Sequence, residues 1–200
     1  MKSAPVVIVL AAGAGSRFRG DHHKLTQPFG ASSVLGTTLE NAIASHLPVA
    51  VVTTMALRDL AKSWVATQDV VIVPEVDGAN TSHLGMGYSI AAGVRARCDA
   101  AGWLILPGDM PLIQPSTMRC VAQALSHHSL AYAQHLGRRG HPVAFSAELF
   151  SELATLTGDE GARRVVARYP AAAVEVADAG VLVDLDTEAD LQALRRMHSR

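Results

Sequence analysis

Short apolar runs alternate with amphipathic stretches along the first half of this 200-residue chain. Apolar runs rich in β-branched residues are typical of strands buried on both faces, and amphipathic stretches with a period near 3.6 are typical of helices. Strands that alternate with helices predict right-handed crossovers and a mostly parallel sheet covered on both sides. The pattern therefore predicts a three-layer, Rossmann-like α/β fold. The predicted strands are Val6 to Leu10, Val49 to Thr53, Val70 to Val73 and Trp103 to Leu106, and the predicted helices are 33–45, 57–67, 84–97 and 115–126.

The second half alternates less regularly, and no internal repeat or long linker interrupts it. Apolar residues make up 49% of the composition, and a chain of this length buries roughly 70% of its unfolded surface around one core. We therefore expect a single domain over residues 1–200. The elements predicted here are strands at Leu130 to Gln134 and Pro142 to Phe145, helices at 147–156 and 159–169, short apolar pieces at 173–176 and 181–185, and a last helix from Thr187.

Charge and cysteine content narrow the classes of partner. Lys and Arg number 17 and Asp and Glu number 18, so no broad basic field is expected for nucleic acid or an anionic membrane. Cys98 and Cys120 fit neither a redox motif nor a zinc-ligand spacing, which favours a cytoplasmic protein. A secretory signal is the alternative for the apolar amino terminus, but the run up to Leu10 is short and β-branched and favours a strand. No stretch approaches the roughly 20 apolar residues of a membrane span.

The first candidate site is the glycine-rich stretch that follows the first predicted strand. Leu10-Ala11-Ala12-Gly13 leads through Gly15, Ser16 and Arg17 towards Lys24. Small residues let free backbone amides approach phosphate oxygens, and Arg17 and Lys24 would add positive charge. A dinucleotide fingerprint would need a third glycine and a P-loop would need Gly-Lys-Ser/Thr. A plain turn between strand and helix is the alternative.

The second candidate is Pro107-Gly108-Asp109-Met110-Pro111, directly after the strand predicted at Trp103 to Leu106. A carboxylate at the carboxyl end of a parallel strand is well placed to bind a hard cation. The alternative is that Asp109 caps the helix that begins near Pro115.

The third candidate is the segment from Val183 to Leu191. Alternation predicts Asp184 and Asp186 on the same face of a strand, and Mg²⁺ commonly takes one or two protein carboxylates. Asp186 is the predicted second ligand. Alternatively, Thr187 and Asp190 only begin the last helix as a capping box.

These three motifs together resemble the MobA-like NTP transferases, and most closely the molybdenum cofactor cytidylyltransferases. The resemblance covers about Leu10 to Leu191 and implies a nucleotidyltransferase fold, with residues about 1–112 binding the nucleotide and about 113–200 forming the acceptor side. It implies Mg²⁺ as cofactor on Asp109 and Asp186, and Arg17, Lys24 and Asp109 as catalytic residues. The implied nucleotide-binding residues are Leu10, Ala11, Ala12, Gly13, Gly15, Ser16, Arg17, Lys24, Pro107 and Gly108.

Within this family, the resemblance also implies the nucleotide. Guanylyltransferases typically have a second glycine where this chain has Ala12, so we expect CTP rather than GTP. The chain departs from the family between Arg19 and His23, where a longer, histidine-containing segment precedes Lys24, and at Glu188, which replaces a usual proline. The acceptor-binding residues implied with lower specificity are Gly85, Ser89, His141, Asp159 and Arg163. For the first two, plain helix initiation is the alternative.

The implied reaction is attack of the terminal phosphate of molybdopterin on the α-phosphorus of CTP, with release of pyrophosphate. A molybdenum hydroxylase would then be the client that receives the product. Guanylyl or sugar-1-phosphate transfer is the alternative within the family. A nucleotide-binding cofactor chaperone without turnover is the alternative of another class. A dinucleotide-dependent oxidoreductase is disfavoured, because no acidic residue closes the strand at Val49 to Thr53.

Overall fold

The computed structural model describes residues 4–13, 15, 18, 23–75 and 84–198, which fold around a seven-stranded sheet. The strands are β1 (Val6–Ala11), β2 (Pro28–Phe29), β3 (Ser32–Ser33), β4 (Val49–Thr53), β5 (Val70–Ile72), β6 (Gly102–Pro107), β7 (Leu130–His135), β8 (Arg138–Ser146) and β9 (Ala172–Glu175). The α-helices are α1 (Val34–Ala44), α2 (Arg58–Lys62), α3 (Met86–Ala96), α4 (Pro115–Ala124), α5 (Phe150–Leu153), α6 (Arg163–Arg168) and α7 (Glu188–His198). Strands β2 and β3 form a separate two-stranded sheet.

The large sheet has the order β5-β4-β1-β6-β8-β7-β9. Only β8 runs against the others, because it pairs antiparallel with both β6 and β7 whereas the other pairs are parallel. The predicted mostly parallel α/β sheet is therefore confirmed.

Side chains alternate between the two faces of β1, and each face has its own core. Val7 and Val9 pack in a cluster with residues of α1, α4 and α7, whereas Val6 and Ile8 pack in a second cluster with residues of α3, α5 and α6. All four are buried, and burying a side chain of this size contributes roughly 1.5–3 kcal/mol. The apolar alternation along one central strand thus joins the two helical layers to the sheet.

Several elements differ from the predictions. The run at Val70 to Val73 is not buried on both faces, because β5 is an edge strand and Ile72 is 40% exposed. The piece at 181–185 is not a strand: a 3-10 helix covers Ala179–Leu182, and residues 183–186 join no sheet. The helices predicted at 57–67, 147–156 and 159–169 are shorter, since only Arg58–Lys62, Phe150–Leu153 and Arg163–Arg168 are α-helical.

Pairing of the central strands brings two of the sequence motifs to one rim of the sheet. Ala11 pairs with Thr53 of β4, and Leu10 pairs with Pro107 of β6. The glycine-rich stretch and the Asp109 turn both follow directly from these paired ends. Among the described residues, no helix is long and apolar enough to cross a membrane.

Candidate functional site

The turn that carries Asp109 is fixed by its backbone against the glycine-rich stretch. The amide of Gly108 donates to the carbonyl of Leu10 over 2.8 Å, which extends the pairing of β1 and β6 by one residue. A Cβ at position 108 would lie 2.9 Å from that same carbonyl oxygen, so the close approach requires glycine. Asp109 therefore leaves the sheet directly beside the first motif.

Two side chains of α1 hold the other side of this turn. Thr38 donates from its buried hydroxyl to the carbonyl of Gly108 over 3.0 Å, and Asn41 donates to the carbonyl of Pro111 over 2.9 Å. Helix α1 itself begins at Ser33, whose hydroxyl accepts from the amide of Gly36. The turn is thus tied to a helix that packs on the sheet.

Asp186 reaches the same place from the far end of the chain. The amide of Leu185 donates to the carbonyl of Asp109 over 3.1 Å, so the two aspartate segments lie side by side. Just upstream, the buried carboxylate of Asp178 accepts hydrogen bonds from the amide of Gln114, the hydroxyl of Thr117 and the amide of Gly180. The N-cap residue of α4 is Gln114, with no side-chain cap hydrogen bond, so the capping alternative for Asp109 is wrong.

The ammonium of Lys24 joins the two carboxylates. Its Nζ lies 2.6 Å from Oδ2 of Asp109, 3.4 Å from Oδ1 of Asp186 and 2.8 Å from the carbonyl oxygen of Leu185. Because both oxygens lie within 3.4 Å of the same nitrogen, Oδ2 of Asp109 and Oδ1 of Asp186 are well under a nanometre apart. The side chains of Lys24, Asp109 and Asp186 are only 13%, 15% and 24% exposed, so their charges interact with limited screening by water.

The glycine-rich stretch adjoins this cluster through His23. His23 donates from Nε2 to the carbonyl of Gly13 over 3.0 Å and accepts at Nδ1 from the amide of Leu25. A Cβ at position 15 would lie 3.4 Å from Cγ of Lys24, and Gly15 has a φ of 64°. Ser16 and Arg17 lie outside the described residues. The unusual segment before Lys24 therefore ends with this lysine at the candidate site.

His141 lies in the same neighbourhood. Burial lowers the pKa of its imidazole, while the negative charges of Asp109 and Asp184 act in the opposite direction. Both carboxylates are thus close enough to His141 to influence its protonation. Of the predicted acceptor-binding residues, His141 is the one that lies beside the aspartates.

Three of the other predicted acceptor residues, Gly85, Ser89 and Asp159, lie at the start of α3. Gly85 is the residue before this helix, and a Cβ there would clash with a carboxylate oxygen of Asp159. Nearby, the amide of Gly87 donates to the carbonyl of Gly158 over 2.8 Å. The Ser89 hydroxyl donates to the carbonyl of Gly85 inside the helix, and Arg163 is exposed at the start of α6. Gly85 thus also serves plain helix initiation, and acceptor binding by these residues stays a prediction.

The last helix begins as the capping box that the sequence allowed. The amide of Thr187 donates to a carboxylate oxygen of Asp190 over 2.7 Å, and the amide of Asp190 donates to the hydroxyl of Thr187 over 3.2 Å. The hydroxyl of Thr187 also donates to this carboxylate over 2.7 Å, and it is mainly this hydrogen bond, with those from the amides of Thr187 and Asp186, that lowers the pKa of Asp190. Asp190 therefore holds the helix start, and Asp186, which precedes it, remains beside Lys24.

Sequence reasoning missed the residues that support the site rather than line it. Thr38 and Asn41 had a usable signal, because two polar residues three apart on an otherwise apolar helix face lie on one side. Asp178 had none, because its partners Gln114 and Thr117 are more than sixty residues away. His23 was noted only as part of the unusual approach to Lys24.

The donor set suits a hard divalent ion. Asp109 and Asp186 offer carboxylate oxygens, and Mg²⁺ typically binds through one or two carboxylates together with substrate phosphates and water. No group of three or more His, Cys, Asp or Glu side chains arranged for a metal occurs among the described residues. The arrangement fits an ion that arrives with a phosphorylated substrate better than a closed all-protein metal cage.

A glycine turn, a lysine and two aspartates thus meet at the carboxyl rim of a mostly parallel sheet, which is where ligands of such folds bind. Residues 7–174 match the family described as the MobA-like NTP transferase domain, and the chain belongs to this family. The resemblance drawn from the sequence is thereby confirmed at the level of the family, and the protein is a nucleotidyltransferase of this group.

Relatives of two kinds are similar to the chain. Purine catabolism protein PucB of Bacillus subtilis (strain 168) is 28% identical over 207 residues, covering 98% of this chain and 99% of PucB. Bifunctional protein GlmU of Zymomonas mobilis is 29% identical over 121 residues, covering 60% of this chain and 26% of GlmU, so the chain spans about a quarter of that protein.

Among solved structures, Rv0371c from Mycobacterium tuberculosis H37Rv is similar, with a TM-score of 0.81 and 27% identity over 98% of this chain and all of that one. A structure of Rv0371c in complex with manganese has a TM-score of 0.77 and 26% identity, covering 98% of this chain and 100% of that one. A divalent ion is therefore found in a structure of a similar protein.

Proposed function

We propose that this protein transfers CMP from CTP to the terminal phosphate of molybdopterin and releases pyrophosphate. The observation that carries the reaction class is the meeting of Lys24, Asp109 and Asp186 beside the glycine-rich stretch. A nucleotidyl transfer needs positive charge and metal-binding carboxylates at one point, because negative charge builds up on the reacting phosphates.

In the proposed reaction, an oxygen of the acceptor phosphate forms a bond to the α-phosphorus of CTP, and the bond from that phosphorus to the bridging oxygen of the β-phosphate breaks. The electron pair of the broken bond leaves with pyrophosphate, so no covalent enzyme intermediate is needed. Alignment of the two phosphates is the main task of the protein.

Each residue would have a defined part in this alignment. The amides of the stretch around Gly13 and Gly15 would accept the triphosphate oxygens, and Lys24 and Arg17 would neutralise their charge. Asp109 and Asp186 would hold Mg²⁺, which when bound supplies a Lewis acid that draws charge from the phosphate oxygens. The hydrogen bonds from Gly108 and Thr38 keep the Asp109 turn in place before the substrate arrives.

The preference for CTP rests on Ala12 and on the resemblance to cytidylyltransferases. Ala12 is half-buried and packs on the core beneath the second face of the sheet. By resemblance, guanylyltransferases have glycine here, and the added methyl of Ala12 would narrow the pocket for the base. A cytosine ring is smaller than a guanine ring, which supports CTP.

The acceptor is assigned by resemblance and by two groups of residues. His141 lies within the electrostatic influence of Asp109 and Asp184, Asp159 lies against Gly85 at the start of α3, and Arg163 is exposed at the start of α6. Helices that follow parallel strands begin at the carboxyl rim of the sheet, where ligands of such folds bind. A molybdenum hydroxylase would receive the product.

A nucleotide panel with product analysis tests the proposal. Calorimetry with CTP, GTP, ATP and UTP in Mg²⁺ is expected to give the tightest binding with CTP, and mass spectrometry after incubation with molybdopterin is expected to detect the cytosine dinucleotide and pyrophosphate. Ala12→Gly is expected to lower the ratio of CTP affinity to GTP affinity at least about tenfold, because one methyl group in a pocket can discriminate between ligands to that extent.

Ala147→Gly is the matched control for this experiment, because residue 147 follows β8 beside the amino-terminal end of β6, at the rim of the sheet opposite the site. It is expected to leave the nucleotide preference unchanged. Preferential use of GTP by the unaltered protein would assign it to guanylyl transfer instead. CTP binding without pyrophosphate release would assign it to the non-catalytic chaperone class.

A further inference from the structure

Lys24 contacts one oxygen of each of the two carboxylates that would bind a divalent ion. Three acceptors surround its ammonium, one each from Asp109, Leu185 and Asp186, and they match the three N–H donors that a lysine offers. An ammonium and a metal ion of double charge repel each other at this range. A divalent ion bound by the two carboxylates would therefore compete with the ammonium for them.

We propose that Lys24 is an exchangeable counter-ion: it holds Asp109 and Asp186 until a metal–nucleotide complex arrives, and its ammonium then moves from the carboxylates to the triphosphate. The inference rests on the proposed function, because it takes Asp109 and Asp186 as the metal ligands. It adds a regulation of that site, namely that the ion binds weakly alone and tightly with nucleotide.

The need for a counter-ion follows from burial and charge. Two carboxylates of which only 15% and 24% is exposed lie close together, and like charges at short range in a partly dry site destabilise each other. The ammonium of Lys24 removes this repulsion. A metal ion that replaces the ammonium must therefore stabilise the two carboxylates more strongly than Lys24 does.

The backbone around Lys24 allows its side chain to move while its main chain stays in place. Lys24 begins a 3-10 turn whose cap, His23, is itself bonded to the carbonyl of Gly13. The methylene groups of Lys24 pass beside Gly15, next to the amides proposed to bind phosphate. Rotation about the flexible four-carbon stem can therefore carry the ammonium from the carboxylates to the triphosphate.

Exchange makes the metal and the nucleotide cooperative. A free ion must displace Lys24 and leave its ammonium without these partners, whereas a metal–nucleotide complex supplies phosphate oxygens that accept it. By linkage, nucleotide raises the affinity for the ion and the ion raises the affinity for nucleotide by the same factor.

Binding of Mn²⁺ alone, measured by electron paramagnetic resonance and calorimetry without nucleotide, tests this inference. Lys24→Met keeps the unbranched apolar stem but removes the ammonium, and we expect it to bind Mn²⁺ at least about tenfold more tightly than the unaltered protein, a difference of about 1.4 kcal/mol. The same variant is expected to bind CTP more weakly. Lys62→Met is the matched control, because Lys62 is exposed on α2, and it is expected to change neither affinity.

Two further variants complete the experiment. Lys24→Arg keeps the charge and is expected to bind Mn²⁺ as weakly as the unaltered protein, which separates loss of charge from damage to the fold. Lys24→Met combined with Asp109→Asn is expected to lose the gained affinity. Equal or weaker Mn²⁺ binding by a folded Lys24→Met protein would overturn the exchange.

The outcome is independent of the substrate assignment. A protein that uses GTP or another acceptor would contradict the proposed function, while the Mn²⁺ measurement would still support the exchange if Lys24→Met bound the ion more tightly. Conversely, the protein could transfer CMP while Lys24→Met bound Mn²⁺ no more tightly than the unaltered protein. That result would support the proposed function and overturn the exchange.

Discussion

Asp109 depends on its backbone for position and on its side chain for chemistry. The amide of Gly108 and the carbonyl of Asp109 are both hydrogen bonded, to Leu10 and Leu185 respectively. Within the described part of the chain, the only residue that donates a hydrogen bond to the carboxylate of Asp109 is Lys24. A substitution at this carboxylate therefore removes a charge without removing the bonds that shape the turn.

We predict that Asp109→Ala lowers kcat for CMP transfer at least about a hundredfold, because loss of one metal-binding carboxylate removes several kcal/mol of charge stabilisation. Steady-state kinetics at saturating CTP and Mg²⁺ measure the effect. Glu40→Ala is the control, since Glu40 is exposed on α1, and its kcat is expected to stay within about twofold. Near-normal turnover in Asp109→Ala would remove this residue from the metal role.

The central strands of the sheet were predictable from the sequence, because the signal for a buried strand is a run of consecutive β-branched residues. The β-branched run of β1 and the run Val49–Thr53 are buried strands, and Gly108 and Asp109 follow β6 as expected. The piece at 181–185 was not predictable, because its alternation fits a strand equally well. Its backbone instead bonds within the turn, from Val183 to Gly180, and to Asp109 through Leu185.

The candidate site was predictable to the same degree. Gly13 and Asp109 lie just after β1 and β6, whose ends hydrophobic periodicity predicts, whereas Asp186 follows a segment that joins no sheet. Support from Thr38, Asn41 and Asp178 depends on contacts between distant segments, which no local pattern encodes.

Asp178 is a single residue that connects two distant elements of the fold. It joins the start of α4 to the 3-10 turn that leads to Asp186, through three hydrogen bonds to a buried carboxylate. We predict that Asp178→Ala lowers the free energy of unfolding by about 2 kcal/mol or more, because buried donors lose a charged acceptor. Urea unfolding followed by circular dichroism measures this.

Asp59→Ala is the matched control for the Asp178 variant. Asp59 pairs with Arg58 on the surface, and its side chain is 82% exposed. A surface ion pair of this kind contributes about 0–1 kcal/mol. Equal stability losses in the two variants would show that Asp178 does not connect α4 to the segment before Asp186.

At the scale of the whole molecule, 17 basic and 18 acidic residues nearly balance, so the electrostatic effects that matter come from local clusters of charge. Lys24 meets two carboxylates, and His141 lies within the influence of two. Nine histidines are the side chains that ordinarily change charge between pH 5 and 8. The stability of the protein in that range therefore depends on which of them the fold keeps neutral.

Burial lowers the pKa of His141, so the fold favours its neutral form. Below its ordinary value of about 6.5, the unfolded chain binds a proton that the folded chain does not, so the free energy of unfolding falls as pH falls towards the folded pKa. Above about pH 7 both states are neutral, and the effect vanishes. We predict that His141→Gln loses less stability between pH 7.5 and 5.5 than the unaltered protein, as urea unfolding at both pH values measures. His127→Gln, at an exposed position in the turn just after α4, is expected to keep the original pH dependence. An unchanged dependence in His141→Gln would mean that this imidazole is protonated equally easily in both states.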